Sequence, residues 1–133
     1  MGFAAQKGKT CIIAEHDPWD IRLLRMYVER LGLRLLQAFD GEDLLRLARA
    51  ERPDVIVLDG ELPGALRGGE VLRALKTDGV TSAIPVVLLS WFDDRRHDHA
   101  PRHAAGWLRK PVTYESFCAA LAEAGVVLQA SEP

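Results

Sequence analysis

Several short apolar runs in this chain end on side chains able to do chemistry. TCIIA, from Thr10 to Ala14, is followed by Glu15, His16 and Asp17. The run from Val55 to Leu58 stops at Asp59, that from Val86 to Leu89 at Ser90, and Trp107 to Arg109 leads into Lys110. A carboxylate such as Asp59 can attack a phosphoryl donor and form an aspartyl phosphate. The transferred group is densely anionic, so the reaction needs positive charge and hydrogen-bond donors fixed around it. Lys110 supplies an ammonium, Ser90 a hydroxyl, and nearby oxygens can hold a divalent cation.

These side chains are far apart in sequence, so the fold must bring them together. The run TCIIA reads as a buried strand. Asp17 then suits a helix cap, Pro18 the first helical position, and Asp20 the first turn, where the helix dipole favours an acid. Ile21, Leu24, Val28 and Leu31 repeat at helical spacing until Gly32. The pattern recurs. Leu33 to Ala38 predicts a strand, Asp40 with Asp43 a capped helix running to Pro53, and Asp54 to Asp59 a third strand. After Pro63 and a glycine-rich turn, a helix around Glu70 to Thr77 is closed by Gly79, and Ile84 to Ser90 forms a fourth strand. Trp107 to Lys110 is a short fifth strand, and Thr113 caps a helix carrying Phe117, Ala120, Leu121 and Ala124 up to Gly125. Phe92 to Ala105 is poor in apolar residues and contains Pro101, which predicts a short or distorted helix.

Apolar strands alternating with helices predict an α/β, doubly wound parallel sheet covered on both faces. In such sheets ligands bind outside the carboxyl ends of the strands. Glu15, Asp59, Ser90 and Lys110 all fall on that rim.

The 133 residues, 48% of them hydrophobic, suffice for one core without staples. The expected division is an extension over 1–9, one domain over 10–125 and a tail over 126–133. A net charge of -2 offers no footprint for nucleic acid or a membrane surface. Cys11 and Cys118 lack CxxC spacing and read as buried, reduced thiols, which with the short apolar runs predicts a cytoplasmic protein.

The sequence resembles the receiver domains of bacterial response regulators over about Thr10 to Ala124. VIVLDGELPG, from Val55 to Gly64, resembles the phosphoacceptor strand and its following loop. The resemblance implies a flavodoxin-like strand order 2-1-3-4-5, with Asp59 as phosphoacceptor, Lys110 before an often cis Pro111, and Ser90 as the switch hydroxyl. It further implies Trp107 as the rotating switch aromatic, Glu15 as an acidic metal-site residue and the Glu61 backbone carbonyl as a magnesium ligand. The implied partners are a sensor histidine kinase or phosphotransfer protein, together with a second copy of the chain or a downstream output protein.

One departure concerns chemistry. Aligning EHDP with the family's usual EDDP puts His16 where the second acid, a direct magnesium ligand, belongs. Magnesium requires oxygen ligands in octahedral array, so a nitrogen there impairs its binding. Asp17 can substitute only through a local backbone shift, since strand neighbours face opposite sides. The loop around ALRGG is slightly longer than usual and the segment between Ser90 and Lys110 slightly shorter, which alters the output face.

The function expected is a two-component receiver with its phosphoacceptor at Asp59, capable at most of self-phosphorylation and self-dephosphorylation rather than being an enzyme. Its alternative is a pseudo-receiver acting only through protein contacts. A flavodoxin-like cofactor carrier is disfavoured, because the acidic EHDPWD loop would repel a phosphate and no GxGxxG or Walker loop is present. His16 also reads as a plain solvent-facing residue, or with Glu15 and Asp59 as transition-metal ligands. His97, His99 and His103 with Asp94 and Asp98 have similar metal potential but fit a solvated face. Trp91 and Trp107 read as core or rim packing.

Overall fold

The computed structural model describes residues 9–91 and 103–126. Strands β1 (Thr10–Ala14), β2 (Arg34–Ala38), β3 (Val55–Asp59), β4 (Val86–Ser90) and β5 (Gly106–Arg109) alternate with helices α1 (Pro18–Arg30), α2 (Gly41–Glu51), α3 (Gly68–Thr77) and α4 (Tyr114–Glu123). The sheet is wholly parallel, in the order β2-β1-β3-β4-β5. The doubly wound α/β fold expected from the apolar runs is therefore observed. The expected helix within Phe92 to Ala105 lies largely outside the described residues.

Side-chain alternation divides the core. Cys11, Ile13, Val55, Val57, Val87, Leu89 and Leu108 point to one face and pack with Leu24, Tyr27 and Val28 of α1 and Phe117, Ala120 and Leu121 of α4. Ile12, Ile56, Leu58, Val86 and Leu88 point to the other, against Leu44 and Ala48 of α2 and Val71, Leu72 and Leu75 of α3. Buried on both faces, β1, β3 and β4 are apolar at nearly every position. The edge strand β2 is only half-buried over Leu35 to Gln37.

Local chemistry sets the element ends. Asp17 caps α1, its carboxylate accepting from the Trp19 and Asp20 amides, and Pro18 opens the helix. Asp40 caps α2 through the Asp43 amide, and Thr113 caps α4 through the Ser116 amide. Gly32 and Gly125 take the left-handed conformation after their helices, at φ 75 and 85.

Several expected element ends need correction: β2 begins at Arg34 rather than Leu33, and β5 runs Gly106–Arg109, leaving Lys110 just beyond it. Asp54 lies just outside β3, where its carboxylate accepts the Thr10 amide at 2.7 Å. Ile84 and Pro85 precede β4: the Ile84 amide is spent in a turn on Thr81 O, and proline has no amide to give. Gly79 does not close α3 in a left-handed conformation. The helix ends at Asp78 in extended backbone, with its carboxylate taking the Val80 amide. Gly68 and Gly69, expected in a turn, form the first turn of α3. A Cβ on Gly68 would meet Gly60 Cα at 2.7 Å and Gly60 O at 2.8 Å, so only glycine lets the helix start lie against the loop that follows Asp59.

Candidate functional site at the carboxyl rim of the sheet

Alternation also decides which rim residues meet. Glu15 continues the parity of Cys11 and Ile13, Asp59 that of Val55 and Val57, and Lys110 that of Leu108. All three therefore fall on the side covered by α1 and α4. They converge there. Lys110 Nζ lies 3.0 Å from Glu15 Oε2, 3.1 Å from Asp20 Oδ2 and 3.5 Å from Asp59 Oδ2. Glu15, Asp59 and Lys110 are buried, at 0%, 1% and 5% exposure.

The carboxylates are oriented by backbone. Glu15 Oε1 accepts from the His16 and Asp17 amides at 2.9 and 3.2 Å, and Asp59 Oδ1 from the Glu61 amide at 2.9 Å. Asp59 Oδ2 is buried and accepts no hydrogen bond from the described residues. His16 Nδ1 stands 3.5 Å from Glu15 Oε1 and 3.5 Å from Asp59 Oδ2, on a half-exposed ring. Glu15, His16 and Asp59 thus bring one donor atom each to within 4.8 Å of one another.

Burial pushes the Glu15 carboxyl above the usual carboxylate range, and the adjoining Asp59 carboxylate pushes it further, against the opposing pull of Lys110. Burial alone would lower the Lys110 ammonium, but its contacts with Glu15 and Asp20 and the charge of Asp59 hold it above the ordinary lysine value.

Other expected residues fall around this cluster. Ser90 is buried at the end of β4 and shares parity with Val86 and Leu88, on the α2 and α3 side. Its carbonyl accepts the Lys110 amide at 2.8 Å. The Lys110–Pro111 peptide bond is cis. Trp107 is half-buried against the α2 and α3 side, whereas Trp91 is 50% exposed, with Lys110 Nζ 5.7 Å from its ring centre. The Glu61 side chain is exposed, and its described contact at the site is the amide bonded to Asp59. Asp17, expected to reach the rim only through a local backbone shift, instead caps α1, its carboxylate accepting from the Trp19 and Asp20 amides. Of the two free thiols, Cys11 is buried as expected and Cys118 only half-buried.

Asp20 reaches the rim through Lys110, although the sequence marks it only as a first-turn acid. Its first-turn placement already had a sufficient local reason, dipole compensation, and nothing local signals that it also reaches Lys110. The signal available was global: a buried lysine at a strand end needs more than one acid.

The family model for the response regulator receiver domain matches residues 11–122. The chain belongs to the response regulator receiver family. Protein PilH of Pseudomonas aeruginosa is 35% identical to this receiver over 108 residues, covering 80% of this chain and 88% of PilH. The polar-differentiation response regulator DivK of Brucella anthropi is 30% identical over 111 residues, covering 82% and 89%. Among solved structures, the bacteriophytochrome response regulator RtBRR superposes with a TM-score of 0.79 at 26% identity, covering 94% of this receiver and 82% of that chain. The receiver domain of a Pseudomonas aeruginosa sensor histidine kinase, which has magnesium coordinated in its active-site cleft, superposes with a TM-score of 0.76 at 23% identity, covering 89% and 98%. Among the described residues, no helix of this receiver is long and apolar enough to cross a membrane.

Proposed function

We propose that this receiver accepts a phosphoryl group on Asp59 from a sensor histidine kinase or a phosphotransfer protein, and that His16, in place of the family's second acid, impairs the magnesium binding usual there. The observation that carries the reading is the burial of Asp59 with one carboxylate oxygen fixed by the Glu61 amide and the other lacking a hydrogen bond, beside the Lys110 ammonium. The free oxygen attacks phosphorus. An O–P bond forms as the donor's N–P bond breaks, and the leaving imidazole takes up a proton. Lys110 balances charge on a phosphoryl oxygen, and the Ser90 hydroxyl at the end of β4 supplies a further donor. Trp107, half-buried on the same face of the sheet as Ser90, fits the aromatic that responds to it.

The donor set does not fit magnesium. Two carboxylates and an imidazole meet where an all-oxygen octahedron is required.

A pseudo-receiver acting only through protein contacts is favoured by one observation: the imidazole of His16 already stands 3.5 Å from the free oxygen of Asp59. Incubation with a small phosphoramidate donor, with magnesium or manganese, followed by intact-mass measurement separates the two. Gain of one phosphoryl group, lost in Asp59→Asn, supports phosphoacceptance. No gain under either metal leaves the pseudo-receiver.

A further inference from the structure

We propose that Glu15, His16 and Asp59 form a site for a divalent transition-metal ion of the zinc class, selected over magnesium by the imidazole of His16.

The first support is geometric. Ligands about 2.1 Å from a tetrahedral ion lie about 3.4 Å from each other. His16 Nδ1 is 3.5 Å from Glu15 Oε1 and 3.5 Å from Asp59 Oδ2, which matches two edges of such a tetrahedron. The second is an unsatisfied atom: Asp59 Oδ2, on a side chain 1% exposed, accepts no hydrogen bond from the described residues and faces the imidazole. The third is charge. Glu15, Asp20 and Asp59 surround the single ammonium of Lys110, leaving a surplus of two negative charges when all are ionised, the charge of a divalent ion. Asp20 and Glu15 hold that ammonium at 3.1 and 3.0 Å, nearer than it lies to Asp59 at 3.5 Å, which leaves the His16 side of Asp59 to the metal. The half-exposed ring of His16 gives an ion access from solvent. Imidazole nitrogen favours zinc, cobalt or nickel, whereas magnesium dehydrates reluctantly and prefers oxygen.

The inference shares its rim with the reading of Asp59 as phosphoacceptor but goes beyond it, since an ion on Asp59 Oδ2 occupies the oxygen that would attack phosphorus. The test reads binding directly and so is separable from phosphorylation. Zinc and magnesium are titrated calorimetrically into the full chain, and cobalt is followed by its visible absorption. The expected result is one zinc or cobalt per chain, bound at least about tenfold more tightly than magnesium. His16→Ala should weaken zinc by about tenfold or more, with unchanged circular dichroism. His16→Asp should narrow or reverse the preference. Because His97, His99 and His103 could also take zinc, the variant with all three changed to Ala should keep the stoichiometric site. Magnesium bound as tightly as zinc, or zinc binding that survives His16→Ala and is lost in the triple variant, overturns the proposal. If zinc binds as expected but intact mass shows no phosphoryl uptake with any metal, the phosphoacceptor reading fails and the metal site stands.

Discussion

Lys110 Nζ lies 3.1 Å from Asp20 Oδ2, closer than its 3.5 Å to Asp59 Oδ2. The ammonium is therefore shared between the first turn of α1 and the rim, and it is the cation among three carboxylates. Removing one member of a buried ionic cluster leaves the others uncompensated, at a cost of roughly 3–5 kcal/mol. Lys110→Met should lose about that much stability at pH 7 by urea denaturation. The loss should shrink toward pH 5, because carboxylates left without their cation are protonated more readily in the folded state. A loss under about 1 kcal/mol, or one equal at both pH values, contradicts the cluster's role.

The same ammonium makes a prediction at high pH. Its folded value is raised above the ordinary one, so its contribution is fully present below the unfolded lysine value, about 10.4, and fades as pH climbs from there through the folded value. Thermal midpoints should show the wild type losing its advantage over Lys110→Met only above about pH 10.4. A gap already closed at pH 9 would exclude this.

Adjacent glycines at the start of α3 should respond oppositely to alanine. At Gly68 the new methyl would strike Gly60 backbone at 2.7 Å, a strain worth about 1–3 kcal/mol. At Gly69 nothing lies within 4 Å, and replacing glycine inside a helix gains up to about 1 kcal/mol. Chemical denaturation of Gly68→Ala and Gly69→Ala should give shifts of opposite sign.

Thiol reactivity should distinguish the cysteines. Burial pushes the Cys11 thiol up to about 12, whereas Cys118 is half-buried on α4. A disulfide reagent at pH 8 should label Cys118 alone in the native protein and both after denaturation. Labelling of native Cys11 would show that β1 opens.

His16→Asp would give an all-oxygen donor set beside Asp59. Phosphoryl uptake from a small donor in magnesium should rise, read as the rate of mass gain. An unchanged rate would show that His16 does not stand at the metal position.

Much of the fold was legible because β1, β3 and β4 are buried on both faces and so are written as unbroken apolar runs. The ends were less legible where one residue served two purposes. Asp54 continues an apolar run yet spends its carboxylate on Thr10, and Gly68 reads as a turn signal while its true constraint is contact with Gly60. At the rim, Glu15, Asp59 and Lys110 were found because strand ends collect there. Asp20 escaped because a nearby, sufficient reason masked a distant one. The depth of Glu15 was equally hidden, since sequence does not show that a carboxylate beside an exposed histidine is itself fully buried.

The Lys110 amide is bonded to the Ser90 carbonyl at 2.8 Å, the rung that follows the last paired residues of β4 and β5. The hydroxyl and the ammonium are therefore borne by backbones tied through a single link, although their side chains belong to opposite faces of the sheet. A change that loosens β5 detunes both at once. Dissecting this rim experimentally thus demands isosteric side-chain replacements: deletions, loop grafts or proline insertions near residue 109 would confound the two groups by construction.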